Sequence, residues 1–322
     1  MKKKNSHYPS VDPIDIDENL SINNLIEEFK KSGVFGPGRI SQAVDIYTEM
    51  LESESTVFLG IAGALVPGGM RNILTDMIRR DMVHVIVSTG ANVTHDIIEA
   101  VGGKHLRQVP FESDEELREK SIDRIYDAFV GDDSFMKLEE TIQPMYKAIW
   151  EEKKDKDTNT LVISTYELME SLGKKLNDKN SFVQAAFEKN VPIFVPAISD
   201  SILGLQLWLF SQMNRTLIDD MTDFGKIQQL AWDSESAGAF FLGGGVPKNY
   251  IFQSRLMSPK TFDYAIQITM DRVETGGLSG ASLEEAISWG KVDSQSKMVT
   301  VVSDITIALP LIYAGTLARM TD

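Results

Sequence analysis

Cysteine is absent from this 322-residue chain, and histidine occurs only four times. Without cysteine there are no disulfides, no thiolate metal sites and no cysteine nucleophile. The histidines, His7, His84, His95 and His105, form no His-x-x-x-His pair, the spacing that lets two imidazoles on one helix bind zinc. We therefore expect no metal centre, and any chemistry must be carried by other groups.

Basic residues are also scarce relative to acidic ones. The chain has 32 Lys and Arg against 47 Asp and Glu, a formal net charge of −15, and its sequence pI is about 4.8. Such a surface repels phosphate backbones, so nucleic acid is not an expected partner. The same field attracts polycations, such as a polyamine or a basic protein segment.

Long apolar runs are missing as well. The N-terminus is basic but continues into polar and acidic residues without the apolar segment of a signal peptide, so we expect a cytoplasmic protein. The most apolar stretch, Ile305 to Ala318, is interrupted by Pro310 and is shorter than the ~18 residues that span a bilayer. We interpret it as a buried helix and expect no membrane partner.

What the sequence does contain is a repeated alternation of short apolar runs, glycine-rich or polar turns, and amphipathic helices. This rhythm predicts an α/β fold in which helices cover both faces of a parallel sheet, with ligands bound beyond the carboxyl ends of the strands. The predicted strands are Val57–Gly60, Val83–Val87, Leu161–Ile163, Ile193–Val195, Ala239–Leu242, Tyr264–Ile268 and Val299–Val302.

Two segments stand outside this rhythm. Residues 1–21 are too polar to order themselves and predict a mobile N-terminal arm; two helices follow from Ile22 and Ser41, separated by Gly36-Pro37-Gly38. Residues 111–156 are dense in charge, and the spacing of their apolar residues predicts a helical insertion. With no internal repeat and no linker, residues 22–322 form a single predicted domain. The apolar positions of the insertion are Leu117, Ile122, Ile125, Tyr126 and Phe129.

Glycine-rich turns follow two of the predicted strands, at Ser88-Thr89-Gly90-Ala91 and at Gly243-Gly244-Gly245. Such turns let the backbone approach a ligand closely and direct helix N-terminal amides at an anion, which indicates a nucleotide cofactor. Neither turn has the G-x-G-x-x-G pattern, and no P-loop is present. Ordinary tight turns of an α/β sheet remain the alternative.

The segment from Gly276 to Lys291 carries a more specific pattern. Ser282 and Glu285 form a predicted capping box, and Glu285 and Trp289 share one face of the short helix that ends at Gly290. A carboxylate, an indole and the Lys291 amine would then converge, a set that suits a polyamine and an imine-forming lysine. The alternatives are a structural role for Glu285 and a solvated helix-end charge for Lys291.

Four further polar residues follow strands: His95, Asp96, Asp200 and Asp304. Carboxylates near strand ends beside glycine turns are candidates for ligand binding. Each acid also has a structural interpretation. Asp96 would interact with a helix dipole, and Asp200 and Asp304 would be helix N-caps.

The ordered motifs together resemble the deoxyhypusine synthase family over nearly the whole chain, from about Gly36 to the C-terminus. The strongest match is Glu285-Ala-Ile-Ser-Trp289-Gly290-Lys291, which resembles the segment with that family's imine-forming lysine. The supporting motifs are Leu242-Gly-Gly-Gly-Val-Pro-Lys248, Thr89-Gly-Ala-Asn92 with Asp96, and Pro196-Ala197 leading to Asp200.

The resemblance implies a Rossmann-like homotetramer with active sites at subunit interfaces and an NAD-dependent reaction. Spermidine is dehydrogenated, its aminobutyl part becomes an imine on Lys291, and the group passes to one lysine of the translation initiation factor 5A precursor, releasing 1,3-diaminopropane. The implied substrate-binding residues are Glu285, Trp289, Asn249, Ser279 and His95. The implied NAD-binding residues are Gly63, Ala64, Thr89, Gly90, Ala91, Asp200, Gly244 and Asp304.

The chain departs from eukaryotic members at several of these positions. They carry a histidine where this chain has Asn249, and an imidazole can shuttle a proton whereas an amide cannot. They carry acids where this chain has Thr94-His95, Leu205 and Leu278. The pattern resembles prokaryotic members, some similar to homospermidine synthases that use putrescine as acceptor. That acceptor, and a noncatalytic NAD- or polyamine-binding protein, remain alternatives.

Overall fold

The computed structural model describes residues 8–107 and 112–321, which form eleven strands and thirteen α-helices. The strands are β1 Thr56–Ile61, β2 Val85–Ser88, β3 His105–Arg107, β4 Ile122–Ile125, β5 Ala128–Gly131, β6 Leu161–Ile163, β7 Ile193–Phe194, β8 Thr216–Ile218, β9 Ala237–Leu242, β10 Phe262–Thr269 and β11 Val292–Val302. The helices are α1 Ile22–Ser32, α2 Phe35–Glu52, α3 Arg71–Arg79, α4 Gly90–Ala100, α5 Asp114–Glu119, α6 Asp132–Lys153, α7 Thr165–Gly173, α8 Phe182–Glu188, α9 Ile202–Ser211, α10 Asp220–Asp233, α11 Gly245–Ser254, α12 Glu285–Ser288 and α13 Ile305–Thr321.

The central sheet has the strand order β11-β10-β9-β1-β2-β7, and its strands pair in parallel. The chain runs from β1 outward through β2 to β7, then returns to β9 on the other side of β1 and runs outward again. The strand order therefore reverses between β1 and β9. In open parallel sheets, a crevice opens at this switch point beyond the carboxyl ends of the strands.

Helices cover both faces of the sheet, as the sequence predicts. Alternate residues of β1 enter opposite cores: Leu59 packs in the larger cluster with α2, α3, α4, α6 and α13, and Phe58 packs in the smaller one with α10, α11 and α12. Both side chains are fully buried. A strand buried on two faces needs apolar residues at successive positions, which explains the unbroken apolar runs.

The apolar C-terminal stretch forms α13, a helix that contains Pro310 and buries Ala308, Leu309 and Ile312 in the larger core. This confirms the predicted buried helix. No helix of the described residues has both the length and the apolar character needed to cross a membrane.

The predicted helical insertion is correct at its two ends and wrong in its middle. Helices α5 and α6 form, but between them β4 and β5 make an antiparallel hairpin that pairs with β3. Ser121 and Tyr126 both have a φ of 56°, a left-handed conformation that ends α5 and turns the hairpin. The apolar residues from Leu117 to Phe129 are thus distributed over α5, β4, the hairpin turn and β5. Phe111 lies outside the described residues.

The N-terminal region agrees with the sequence in one helix boundary and differs at the next. Helix α1 begins at Ile22, and the Ser21 side chain caps it by accepting a hydrogen bond from the Asn24 N–H. Gly36-Pro37-Gly38, predicted to separate two helices, lies instead in the first turn of α2, where proline is tolerated. Gly33, with a φ of 66°, makes the break.

The predicted arm stays a prediction. Residues 8–20 form neither helix nor strand, and most of them are exposed; residues 1–7 lie outside the described part of the chain. One further difference concerns β6, which belongs to a separate two-stranded parallel sheet with β8. Strand β8 was not among the predicted strands.

Candidate active site

A cavity of about 980 Å³ lies at the switch point, beyond the carboxyl ends of the central strands. The residues that follow four strands line it: Gly63 and Ala64 after β1, Gly244 after β9, Asp271 after β10 and Asp304 after β11. Parallel strands end at the same edge of the sheet, so residues far apart in sequence meet there. Four of the eight implied NAD-binding residues therefore line one cavity.

Glycine is required at two points of this crevice. Gly63 has a φ of 84°, a conformation that other residues adopt only with strain, and no atom lies within 4 Å of where its Cβ would be. A Cβ on Gly244 would lie 2.5 Å from the Ser279 Cα, so only glycine lets the loop with Ser279 approach. Ser279, one of the implied substrate-binding residues, also lines the cavity.

The turn with Thr89, Gly90 and Ala91 does not line the cavity but is tied to its wall. The Asn92 Nδ2 donates to the Gly63 carbonyl at 2.7 Å and to the Thr89 Oγ1 at 3.0 Å. Close packing requires glycine at position 90, since a Cβ on Gly90 would lie 2.5 Å from the Ser201 Oγ. Thr89 is the N-cap of α4, and its side chain accepts a hydrogen bond from the Asn92 N–H.

The three acids of the strand ends have different surroundings. The Asp304 Oδ1 accepts from the Thr306 N–H at 2.7 Å, so this residue caps α13 and also lines the cavity. The predicted N-cap at Asp200 is wrong, because Ser201 caps α9 and Asp200 precedes it as an exposed residue outside the cavity lining.

Asp96 is a structural residue. It is fully buried, its Oδ1 accepts from the Arg71 Nε at 2.7 Å, and its Oδ2 accepts from the Ser181 Oγ at 2.6 Å. It also accepts from the Phe182 and Val183 N–H groups at the start of α8. Asp96 thus joins α3, α4 and α8, and its oxygens are engaged within the protein.

Lys291 lies in a second cluster, outside the cavity lining. It is 9% exposed, its Nζ donates to the Asn249 Oδ1 at 3.1 Å, and the Nζ lies 5.4 Å from the centroid of the Trp289 ring. Gly290, with a φ of 68°, turns the chain between the two. Burial lowers the pKa of Lys291, and the charge of Glu285 opposes that shift.

Glu285 is the first residue of the short helix α12, Trp289 is its C-cap, and both are exposed. The helix begins two residues later than the capping box predicts. Its N-cap is Glu284, although the Ser282 Oγ does accept a hydrogen bond from the Glu285 N–H at 3.3 Å. The exposed Glu285 carboxylate and the 63% exposed Trp289 face leave room for a ligand beside the Lys291 amine.

Lys248 is a functional candidate that the sequence analysis did not single out. It is 4% exposed, and its Nζ donates to the Gln267 Oε1 at 2.8 Å and to the Ala281 carbonyl. Burial lowers its pKa to about 8; Glu285 and Glu284 oppose this shift and Lys291 adds to it. In the sequence, the signal that could have identified Lys248 is its position three residues after the glycine turn, at the end of an otherwise uncharged motif.

Gln267 connects the two clusters. Its Nε2 donates to the Gly243 carbonyl at 3.1 Å and to the Ser279 carbonyl at 2.9 Å, both beside the cavity. Its Oε1 accepts from Lys248, whose Nζ also donates to the Ala281 carbonyl in the loop before Lys291. A continuous polar connection therefore runs from the glycine turn to the loop before Lys291.

The inserted hairpin supplies the remaining wall of the cavity. Residues 105–107 of β3 and residues 125–128 at the hairpin turn line it, including His105 and Tyr126. The sequence analysis predicts a helical insertion over residues 111–156 and therefore missed the contribution of the hairpin to the cavity. His95 is not in the lining but is hydrogen-bonded to His105.

These features first define a class: an α/β protein with a doubly covered parallel sheet, a glycine-lined crevice at the switch point and a partly buried lysine nearby. Comparison with known proteins then identifies the family. The family model of deoxyhypusine synthase matches residues 24–316. The chain belongs to the deoxyhypusine synthase family.

Curated relatives agree with this assignment. The chain is 47% identical over 304 residues to a Methanosarcina acetivorans protein named probable deoxyhypusine synthase 1, covering 94% of this chain and 93% of the relative. It is 40% identical over 312 residues to a probable deoxyhypusine synthase of Methanothermobacter thermautotrophicus, covering 97% and 99%.

Solved structures agree in fold. A crystal structure from Entamoeba histolytica that is named for the same family matches with a TM-score of 0.66 at 19% identity, covering 96% of this chain and 97% of that one. A LOR/SDH protein of Methanococcus maripaludis matches with a TM-score of 0.52 at 12% identity, covering 97% and 74%. These likenesses concern the fold alone.

Proposed function

We propose that this protein transfers the aminobutyl group of spermidine, through an imine on Lys291, to one lysine of the translation initiation factor 5A precursor in an NAD-dependent reaction. The observation that carries the proposal is the cluster around Lys291 in a member of this family. A 9% exposed amine lies beside an exposed indole and an exposed carboxylate. An amine whose pKa is lowered by burial is a better nucleophile at neutral pH.

The crevice fits a dinucleotide. Its volume of about 980 Å³ is at the upper end of ordinary ligand pockets, and its left-handed Gly63 allows close backbone approach to a diphosphate. Bound NAD would accept and later return a hydride. We propose that the residues holding it are Gly63, Ala64, Thr89, Gly90, Ala91, Asp200, Gly244 and Asp304.

Spermidine would extend from the crevice toward Lys291. We propose that the Glu285 carboxylate pairs with an ammonium group, that the Trp289 face packs on methylenes, and that Asn249, Ser279 and His95 complete the polyamine site. The formal charge of −15 favours the approach of such a polycation.

The role proposed for Lys291 is covalent. Its neutral amine adds to the carbon of the oxidised spermidine, 1,3-diaminopropane leaves, and the four-carbon unit stays on Lys291 as a protonated imine. The acceptor amine then displaces Lys291, and the returned hydride reduces the new imine. Asn249, which accepts from the Lys291 Nζ at 3.1 Å, would orient the amine between these steps.

A second acceptor, putrescine, is favoured by particular residues. Asn249 stands where eukaryotic members carry histidine, and Leu205 and Leu278, 46% and 47% exposed, stand where they carry acids. Fewer charged anchors change the acceptor site without changing the chemistry at Lys291. A homospermidine synthase-like activity is therefore the second candidate.

We further propose a homotetramer. Helix α9 exposes an apolar face that includes Leu205, Trp208 and Leu209, with Trp208 55% exposed. Contiguous exposed apolar surface of this kind is typical of protein interfaces. A second copy covering α9 would also enclose the nearby start of α4, which packs against it at Gly90.

The test incubates the purified protein with NAD and labelled spermidine, together with either a factor 5A from the same source or putrescine, and follows the label by mass spectrometry. Label on the protein lysine supports the first candidate, and label only in homospermidine supports the second. Lys291→Ala should abolish both products while NAD binding persists. Lys260→Ala, at an exposed ion pair with Glu235, is the matched control.

A further inference from the structure

Two buried polar side chains, Lys248 and Gln267, hold the loop that lies between the crevice and Lys291. Lys248 lies on α11 and is 4% exposed, and Gln267 lies near the carboxyl end of β10 and is fully buried. The Lys248 Nζ donates to the Gln267 Oε1 at 2.8 Å. We call these two residues the Lys248–Gln267 pair. The pair joins α11 to a strand that ends at the crevice.

The pair binds main-chain oxygens on both sides of the loop. The Gln267 Nε2 donates to the Ser279 carbonyl at 2.9 Å, and the Lys248 Nζ donates to the Ala281 carbonyl. The Gln267 Nε2 also donates to the Gly243 carbonyl at 3.1 Å, in the glycine turn that follows β9. The loop is therefore tied at once to α11, to β10 and to the wall of the crevice.

The next residue of α11 contacts the reactive amine itself. The Asn249 Oδ1 accepts from the Lys291 Nζ at 3.1 Å. Two adjacent residues of one helix therefore contact the two ends of the segment 281–291: Lys248 binds the carbonyl of Ala281, and Asn249 binds the side chain of Lys291. The position of the whole segment relative to the crevice thus depends on α11.

A buried lysine is costly to the fold. Both acceptors of the Lys248 Nζ are neutral oxygens, one of an amide side chain and one of a peptide group. Burial lowers the pKa of Lys248 to about 8; Glu285 and Glu284 oppose this shift and Lys291 adds to it. Neutral acceptors recover only part of the desolvation cost of an amine, so an apolar side chain of similar shape would serve the core as well or better. What the amine adds is a fixed position for the Ala281 carbonyl.

We propose that the Lys248–Gln267 pair positions the loop from Ser279 to Ala281 and thereby sets the separation between the cofactor crevice and the amine of Lys291. The inference rests on the proposed function, in which a group bound in the crevice and the Lys291 amine act on the same spermidine. A displacement of ~1 Å between reacting groups can cost about 10²-fold in rate. Neither residue of the pair lines the crevice, and both act through the loop, so they are positioning residues.

The first experiment measures how firmly the loop is held and needs no activity. In hydrogen–deuterium exchange of the purified protein, Lys248→Met should speed exchange over residues 276–291 by about 10-fold or more, because the Ala281 carbonyl loses its donor. Peptides of β1 and β2 should keep their wild-type rates. Lys226→Met, at an exposed lysine of the neighbouring helix α10, is the matched control and should change neither region. Unchanged exchange over residues 276–291 in Lys248→Met would overturn the proposal.

The second experiment separates positioning from binding. With NAD and labelled spermidine, Lys248→Met should lower kcat for the release of 1,3-diaminopropane by about 10- to 100-fold, while KM for spermidine stays within about threefold. The value of KM should change little because Leu283 and Ala286 anchor the region of α12 separately in the smaller core. If Lys248→Met does not fold, Lys248→Gln, whose side chain is polar but one atom shorter, takes its place. A kcat within about threefold of wild type would refute the positioning role.

Gln267→Met and the double variant test whether the two residues act as a unit. Gln267→Met removes the donations to Gly243 and Ser279 together with an acceptor of Lys248, so it should lower kcat at least as far as Lys248→Met does. The double variant should be at most about threefold slower than Gln267→Met, since losses within one hydrogen-bond network are not additive. Losses that multiply in the double variant would contradict a joint role.

Chemical rescue distinguishes the amine from the shape of the side chain. Because the chain has no cysteine, Lys248→Cys introduces a unique thiol. Alkylating the unfolded variant with 2-bromoethylamine rebuilds a side chain of lysine length that ends in an amine, and 1-iodopropane builds an apolar one of the same length. After refolding, the first form should recover most of the kcat of wild type treated in the same way, and the second should not. Equal kcat in the two forms would rule out a role for the amine.

The two proposals fail in different ways. A wild-type protein that releases no 1,3-diaminopropane from spermidine overturns the proposed function, and hydrogen exchange still decides whether the pair holds the loop. A wild type that releases it, with a Lys248→Met variant of equal kcat, leaves the function intact and removes the Lys248–Gln267 pair from it.

Discussion

At the residue scale, the proposed chemistry depends on amines whose pKa is lowered by burial. Lys291 and Lys248 are both buried, and in each case burial lowers the pKa while Glu285 opposes the shift. A lysine with a raised neutral fraction forms imines faster at a given pH. We therefore expect the exposed Glu285 carboxylate to affect the reactivity of the Lys291 amine in addition to its proposed pairing with an ammonium group.

Glu285→Gln tests this electrostatic coupling. Removing the carboxylate leaves the desolvation of Lys291 unopposed, so its pKa should fall further and reaction with a small aldehyde, trapped with borohydride, should extend to lower pH. The rate of trapping against pH measures the midpoint. Glu284→Gln is the control, since Glu284 acts on Lys248 and should leave the midpoint of Lys291 in place. A midpoint that rises in Glu285→Gln would contradict the assignment.

Gly244→Ala tests the close approach at the crevice. The new Cβ would lie 2.5 Å from the Ser279 Cα, so the loop with Ser279 must move. We expect a loss of about 1–3 kcal/mol in the free energy of unfolding and at least ~10-fold weaker NAD binding. Denaturant unfolding and calorimetry measure the two effects. Gly277→Ala, whose Cβ would meet only the Thr275 Oγ1 at 3.5 Å, should change neither.

At the scale of elements, buried polar contacts fix how helices meet. Arg71 of α3 is 7% exposed and binds Asp96 of α4 at 2.7 Å and Asp178 before α8 at 2.8 Å. A buried charge left without its partner is costly. The pair therefore holds α3, α4 and α8 in register, and with them the turn at Thr89.

Asp96→Asn should be strongly destabilising. It removes one of the carboxylates that pair with the buried Arg71 guanidinium, which keeps Asp178 and Glu99, and it weakens the cap of α8, so we expect a loss of about 1–3 kcal/mol in the free energy of unfolding. Chemical denaturation measures it. Asp81→Asn removes a surface pair with Lys189 from a residue 68% exposed and should cost less than ~1 kcal/mol. Equal losses in the two variants would contradict a buried role for Asp96.

Several elements could be predicted from the sequence and others could not, and the physical reason differs from one element to the next. The central strands are buried on both faces, so the apolar runs Val57–Gly60 and Tyr264–Ile268 had few other interpretations. The hairpin of β4 and β5 was not readable, because its direction depends on a non-glycine residue, Tyr126, in a left-handed conformation. Nothing in local propensity favours that conformation for tyrosine.

At the scale of the whole molecule, α9 exposes an apolar face to solvent. Leu205, Trp208 and Leu209 are between 43% and 55% exposed on a helix that carries no charge. Burying such side chains against a second copy is favourable at roughly 25 cal/mol per Å² of apolar surface. The proposed tetramer would use this gain.

Trp208→Asp tests the assembly. A carboxylate at the centre of an apolar interface must be desolvated, so the mass by light scattering should fall below that of a tetramer, and activity with it. Met257→Asp is the control at a residue that is 77% exposed after α11, and its mass should be that of the wild type. An unchanged mass for Trp208→Asp would place the interface elsewhere.

The sequence alone determined those features that depend on residue type and on the order of neighbouring residues along the chain. It predicted the alternation of strands and helices, the turns that need glycine, and the reactive set of Glu285, Trp289 and Lys291, which one short segment carries. The sequence could not predict the switch point between β1 and β9, because the order of strands in a sheet is set by long-range packing. The same holds for the hydrogen bond of the buried Lys248 to Gln267 and for that between His105 and His95. Each contact joins two different elements, α11 with β10 and β3 with α4, so only the tertiary structure brings the atoms within hydrogen-bond distance.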